Sequence, residues 1–175
     1  MNSMIDAMKN RRSIRNFKTT MPEKADIEQI IEAGLYAANG RGLQAPIIIA
    51  VTNKELRDKL SAQNCKIWGR PEGTDPFFGA PAVLIVLADK SVPTHVYDGS
   101  LVMGNMMLAA YSLGLGSCWI HRAKEEFESE EGKELLKALG VEGDYEGIGH
   151  CILGYIDGEE PEARERRSGR VFWAE

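Results

Sequence analysis

The sequence predicts a layered fold of mixed helix and strand, an α/β or α+β sandwich, and three observations lead there. Short, mainly apolar runs of strand length recur at Ile47–Val51, Ala82–Ala88, Leu115–His121 and His150–Ile156. Between them lie stretches whose apolar residues return every three or four positions, the period of a helix packed on one side. No repeat, linker or break in composition divides the 175 residues, so one domain over 1–175 with a sizeable core is expected.

In order, residues 1–10 suit a short helix with Ile5 and Met8 on one side. A second helix starts near Pro22, whose fixed φ fits a first turn, and carries Ile27, Ile30, Ile31, Leu35 and Ala38 on one face. Ile47–Val51 reads as a buried strand, and Asn53–Asn64 as a surface helix anchored by Leu56 and Leu60. Residues 65–81 hold Gly69, Pro71, Gly73, Pro76, Gly79 and Pro81, a long loop of the kind that often carries function. Ala82–Ala88 (AVLIVLA) is a second buried strand. Val96–Leu113 is apolar almost all round, which assigns it to the centre of the fold or a subunit interface. Leu115–His121 is a third strand, Lys124–Leu139 an amphipathic helix stopped by Gly140, and His150–Ile156 a fourth strand. The acidic residues Glu125, Glu126, Glu128, Glu130, Glu131 and Glu134 read as a solvated face of that helix. Asp157–Glu175 lacks Leu and Ile and is rich in charge, so it is expected to gain order only by packing on something else.

The totals exclude several classes. A net charge of −5 disfavours a nucleic-acid or anionic-membrane partner, since either needs a basic face. No apolar leader and no run approaching the roughly 20 apolar residues of a membrane span is present. Cys65, Cys118 and Cys151 are odd in number and without a C-x-x-C, which points away from disulfides or zinc and towards a reducing cytoplasm. The three histidines share no metal-ligand spacing, and no Walker A, H-E-x-x-H or Ser/His/Asp signature occurs.

Three stretches remain as chemical candidates. Arg11-Arg12-Ser13-Ile14-Arg15 gathers three guanidinium groups and a hydroxyl, a set suited to a phosphate monoester of roughly −1.5 to −2 charge; the alternative is a basic turn at a helix C-terminus. Ala38–Pro46 (ANGRGLQAP) contains G-x-G-x-x-A, but it follows a helix and precedes a strand, the reverse of the dinucleotide-binding order. Gly40 and Gly42 therefore serve a helix stop and a tight loop. Asn39 and Gln44 offer amides to a heterocycle edge, or a helix cap and surface polarity. In Leu113–Arg122 (LGLGSCWIHR), His121 and Arg122 stand where a strand gives way to a loop, a common place for ligand contact, while Cys118 reads as an inert buried thiol and Trp119 as core.

Taken together, RRSIRNF, YAANGRGLQAP, FFGAPAVLIV, AYSLGLGSCWI and LGYIDGEEPEARERR, in this order, resemble the nitroreductase family over nearly the whole chain. The resemblance implies an α+β fold, a nitroreductase-like sandwich with a mostly antiparallel central sheet flanked by helices, in an intertwined homodimer. It implies two FMN molecules in the dimer interface, each touched by both chains, and an arm, 157–175, packing on the partner subunit. By the match, Arg11, Ser13 and Arg15 hold the FMN phosphate and ribityl chain with help from Arg12, and Arg164 and Arg166 reach the same phosphate. Asn39 and Gln44 lie against the ring, and Ile120, His121 and Arg122 face it with a main-chain N–H near N5.

The implied activity is that of an FMN-dependent oxidoreductase taking hydride from NAD(P)H and reducing a nitroaromatic or quinone by a ping-pong cycle. Its chemistry is carried at flavin N5 without a catalytic side chain. Family variants that dehalogenate or fragment flavin, or that only store it, are the alternatives. The chain departs from many members at Ala38-Asn39 and Gly42, where Pro-Ser and an Asn are common, so contacts at the ring edge are expected to differ. At 175 residues it leaves little room for covering insertions, and an open cleft is expected.

Overall fold

The computed structural model describes residues 3–175. Its strands are β1 (Pro46–Val51), β2 (Ala82–Asp89), β3 (Gly116–Ile120) and β4 (Tyr145–Gly154), joined in one antiparallel sheet of order β1-β2-β4-β3. The helices are α1 (Ser3–Asn10), α2 (Lys24–Leu35), α3 (Lys54–Trp68), α4 (His95–Ser112), α5 (Ala123–Glu128) and α6 (Glu130–Ala138). Met1 and Asn2, included in the expected first helix, lie outside the described residues.

Both faces of the sheet are covered, which explains why AVLIVLA shows no polar alternation. Alternate residues of β2 point to opposite sides. Val83, Ile85 and Leu87 meet Phe77, Leu60, Phe127 and Leu136 under α3, α5 and α6. Leu84 and Val86 meet Ile30, Met103 and Met106 under α2 and α4. Each fully buried Leu or Ile contributes about 1.5–3 kcal/mol over an exposed one. β1 is less buried than its sequence suggests: Ile47, Ile48 and Ile49 are half-buried and Ala50 is exposed, because an edge strand has a neighbour on one side only. No helix among the described residues is long and apolar enough to cross a membrane.

Two boundaries moved for packing reasons. β4 begins five residues before the expected His150, in a stretch whose glycines conceal a strand. Gly147 is required there, since a Cβ would lie 2.2 Å from the Ala123 carbonyl oxygen. That contact lets the start of α5 rest on the sheet. The expected acidic helix is broken at Ser129, whose Oγ accepts from Gly132 N at 3.1 Å and starts α6 afresh.

The break has a consequence for Glu126. Expected on the solvated face, it is fully buried, with Oε2 2.8 Å from His150 Nε2, also fully buried. The contact is one of distance and charge; neither group makes a side-chain hydrogen bond among the described residues. The other five glutamates of the stretch are exposed as expected. Removing one partner of such a pair strands the other in the core, whereas replacing both removes the problem. Glu126→Ala alone is therefore expected to destabilise the fold by about 3–5 kcal/mol, and the double change Glu126→Leu with His150→Leu to regain most of it, as measured by urea unfolding.

Candidate functional site

The segment after α1 lies along the free edge of β3. Ile14 N donates to Ser117 O at 3.0 Å, Ser13 bridges Ser117 in parallel, and Phe17 bridges Ile156 in antiparallel sense. Ile14 and Phe17 are the buried anchors; Arg15 and Asn16 between them are exposed, and Arg11, Arg12 and Ser13 before them are half-buried. Arg11, Ser13 and Arg15 gather around Cys118. Burial pushes the Cys118 thiol up, while Arg15, the Ser13 hydroxyl and Arg11 pull the other way. Cys151 is pushed up to about 12, chiefly by burial. Both thiols are thus protonated and inert near neutrality.

Arg12 and Arg11 differ in what they touch. Arg12 Nη1 donates to Lys9 O at 2.8 Å and Arg11 O at 2.9 Å, closing the C-terminal end of α1. Arg11 Nη1 is buried and has no hydrogen-bond partner among the described residues. An unpaired buried donor costs on the order of 1–3 kcal/mol, more when charged, so an anionic acceptor is what this position lacks. A phosphate group fits that donor set of Arg11, Ser13 and Arg15.

Phe78, from the loop after α3, lies 5.9 Å under the Arg15 guanidinium. The loop is organised by Asp75, which accepts from Arg57 Nη2 at 2.5 Å, Ser61 Oγ at 2.5 Å, Phe77 N at 2.9 Å and Gly79 N at 2.7 Å. Arg57 also donates Nε to Ala80 O at 3.0 Å. Burial pushes the Asp75 carboxyl up, but Arg57, Ser61 and the two amides outweigh it and hold it below its usual value.

At the other edge of the sheet, before β1, the chain makes a tight turn at Gly40–Gly42. Gly40 N donates to Asp98 Oδ1 at 3.0 Å, and Thr94 Oγ1 to Asp98 Oδ2 at 2.9 Å. A Cβ on Gly40 would sit 2.3 Å from Thr94 Oγ1, and Gly42 has φ +69, so the two glycines serve close approach and turning. Asn39 Oδ1 accepts from Gln44 N at 3.0 Å, which occupies one face of that amide with the loop itself. The Gln44 side chain is exposed.

β3 ends in Ile120, which is buried, and His121, which is exposed with its ring 5.9 Å from that of Trp119. Arg122 takes a left-handed φ of 79°, unusual for a residue with a Cβ. Asn64, fully buried, clamps both: its Nδ2 donates to His121 O at 2.8 Å and its Oδ1 accepts from Arg122 Nε at 2.9 Å. Trp119, His121, Arg122, Ser100 and Glu146 line a cleft of about 320 Å³. Asn64 was absent from the sequence reading, although Arg57, Ser61 and Asn64 repeat at helical spacing on the buried face of α3 and so marked a polar core stripe. Trp68 and Arg70 were also missed; Arg70 and Arg122 lie 4.5 and 4.7 Å from the Trp68 ring.

β3 thus joins Arg11–Arg15 to His121–Arg122; Ser117 to His121 is four residues of strand, about 13 Å. The single chain does not bring Asn39 and Gln44 to them. Three strand spacings, about 14 Å, separate the two sheet edges. Arg164 and Arg166 are exposed, in a segment of 157–175 with no helix or strand, and make no hydrogen bond or ion pair among the described residues. The root of that segment is nonetheless fixed beside Arg15: Asn16 Nδ2 donates to Asp157 O at 2.7 Å, and Asp157 N to Asn16 O at 3.1 Å. Its tip carries Phe172 and Trp173, 90% and 84% exposed.

A family model described as the nitroreductase family matches residues 8–155. A nitroreductase with bound FMN from Bacteroides fragilis is 27% identical, with a TM-score of 0.89 and both chains covered fully. A nitroreductase with bound FMN from Desulfitobacterium hafniense is 26% identical, with a TM-score of 0.87 and both chains again covered fully. A Methanothermobacter thermautotrophicus protein, provisionally named NADH dehydrogenase/NAD(P)H nitroreductase, is 30% identical over 120 residues, 66% of this chain and 59% of that protein.

The Asp75 hub gives the site a pH dependence of known sign. A carboxyl held below its usual value of about 3.9 contributes stability above that pH, which is lost as pH falls through the folded-state value. Asp75→Ala is expected to lower stability by about 2–3 kcal/mol at neutral pH, and Asp75→Asn to flatten the acid side of a Tm-against-pH curve.

Proposed function

The chain belongs to the nitroreductase family, and from that premise we propose that it is an FMN-dependent NAD(P)H oxidoreductase reducing an electron-poor acceptor such as a nitroaromatic or quinone. The observation that carries the reading is Arg11 Nη1, buried and unpartnered within the Arg11–Ser13–Arg15 cluster. The FMN-bound relatives of the same fold support it.

In this reading Arg11, Ser13 and Arg15 hold the phosphate, each charge-assisted contact contributing about 1.5–3 kcal/mol. Arg12 acts indirectly, by closing α1 and so fixing where Arg11 starts. Ile120, His121 and Arg122 border the ring through a main chain that Asn64 holds rigid from behind. Rigid main-chain donors suit developing negative charge because they need no reorganisation. The chemistry supplied by bound FMN is two-electron transfer from nicotinamide to acceptor, the two substrates using one cleft in turn.

Asn39 and Gln44 join the site from a second copy of the chain, since their own copy holds them at the far sheet edge. A homodimer is thereby required for a complete site, and the exposed apolar tip of the 157–175 arm supports its packing on that partner, with Arg164 and Arg166 approaching the phosphate from there. Three unpaired, buried thiols suit a reducing, cytoplasmic setting.

The test is an anaerobic absorbance scan of the purified protein before and after NADH and then NADPH. A bound flavin band bleached by either is expected; a colourless protein that takes up no added FMN overturns the reading. Arg11→Ala is expected to weaken FMN binding at least about tenfold by fluorescence titration, with retention equal to the parent arguing against the phosphate assignment.

A further inference from the structure

Arg70 and Arg122 sit 4.5 and 4.7 Å from the ring of one indole, Trp68, which is 38% exposed. Two like charges are thereby brought to one indole in a chain that carries 26 acidic residues and a net charge of −5. Neither guanidinium makes an ion pair among the described residues, whereas Arg57, nearby on α3, pairs with both Asp58 and Asp75. The carboxylates acting on Arg122 are Glu125 and Glu126, and Glu126 is directed to His150 in the core. Glu125 also lines the Arg122 cleft, but no carboxylate comes within ion-pair distance of either guanidinium among the described residues, and cations so held can take an anion from outside.

The local structure holds the pair in place. Stacking on an aromatic face leaves a guanidinium's in-plane N–H fork free for bidentate contact with a phosphate or carboxylate. Arg122 has its Nε fixed on Asn64 Oδ1 at 2.9 Å and its backbone at φ 79°, so its fork is aimed by the fold at some conformational expense. Arg122 lines the cleft shared with Trp119 and His121. Arg70 lines a separate cleft of about 380 Å³ together with Lys66 and Glu72. Trp68, in contact with both arginines, links the two clefts.

We propose that Arg70 and Arg122, ordered by Trp68 and Asn64, form an anion site that takes the diphosphate of the nicotinamide dinucleotide donor. The site rests on the oxidoreductase reading for the identity of its ligand. Its existence as an anion site does not depend on that reading. It sets KM for the donor and is indifferent to the acceptor.

The experiment uses FMN-loaded protein. Inorganic pyrophosphate is titrated calorimetrically into the parent and into Arg70→Gln, a change at an exposed side chain whose fold is checked by Tm. Donor kinetics are then run with NADH, NADPH and an N-benzyl dihydronicotinamide that carries no phosphate. Pyrophosphate binding at least tenfold weaker in Arg70→Gln is expected, with a similar rise in KM for both dinucleotides, kcat retained, and the phosphate-free donor unaffected. Raising salt should shrink the difference, as the contact is charge-based. Equal pyrophosphate binding in both proteins, no binding in the parent, or the same loss with the phosphate-free donor overturns the site. A loss confined to NADPH overturns the diphosphate assignment. If the parent binds pyrophosphate through Arg70 yet oxidises none of the three donors, the anion site stands and the oxidoreductase reading falls.

Discussion

The N–H of Ile14 donates to the carbonyl of Ser117, and that contact lays the Arg11–Arg15 segment along β3. β3 is an edge strand, and a bare edge is a liability that folds cover. Here the cover is the segment that carries the arginines. Ile14 and Phe17 are buried while Arg15 and Asn16 between them are exposed, so the segment bends between its two bridges and leaves Arg15 on the outside. The same strand, four residues on, ends in the His121–Arg122 turn. One edge strand thus sets the spacing between the Arg11–Arg15 cluster and a rigid main-chain turn.

A second constraint is the polar stripe of α3. Arg57, Ser61 and Asn64 are buried on a helix face where apolar residues are the rule, and each is satisfied by a loop rather than by the core. Arg57 and Ser61 close the 69–81 loop through Asp75, and Asn64 fixes the turn after β3. Hydrogen bonds of this kind stabilise modestly when made and are expensive when lost, so they act as position markers more than as glue.

Much of this was legible in the chain itself. AVLIVLA could be assigned as a buried strand because a run that long without a polar residue needs cover on both faces. The order helix, glycine turn, strand around ANGRGLQAP was enough to dismiss a dinucleotide fold. The Arg11–Arg15 cluster was visible as charge out of keeping with an acidic chain. What was not legible depends on distant partners. Glu126 looks like its five exposed neighbours, and only the break at Ser129 and the glycine at 147 bring it under His150. The start of β4 was hidden by glycines that exist to let α5 approach. Asn64 closed a helix that looked superficial and Trp68 was read in the 65–81 loop, whereas α3 runs on to Trp68, and the value of both lies in residues some fifty positions away.

The seam that fixes the arginines also joins the two ends of the chain. Residues 13–18 pair with Ser117 and then with Tyr155, Ile156 and Asp157. The arginines and the strand that receives them are about a hundred positions apart, so Arg11–Arg15 can take their places only once β3 is there to pair with them. Closing so long a loop is slow and comes late in folding. The arrangement of Arg11, Ser13 and Arg15 along the sheet edge is therefore absent from any intermediate in which β3 has not formed. The seam itself ties together segments more than a hundred residues apart and so acts as a clasp on the free side of the sheet.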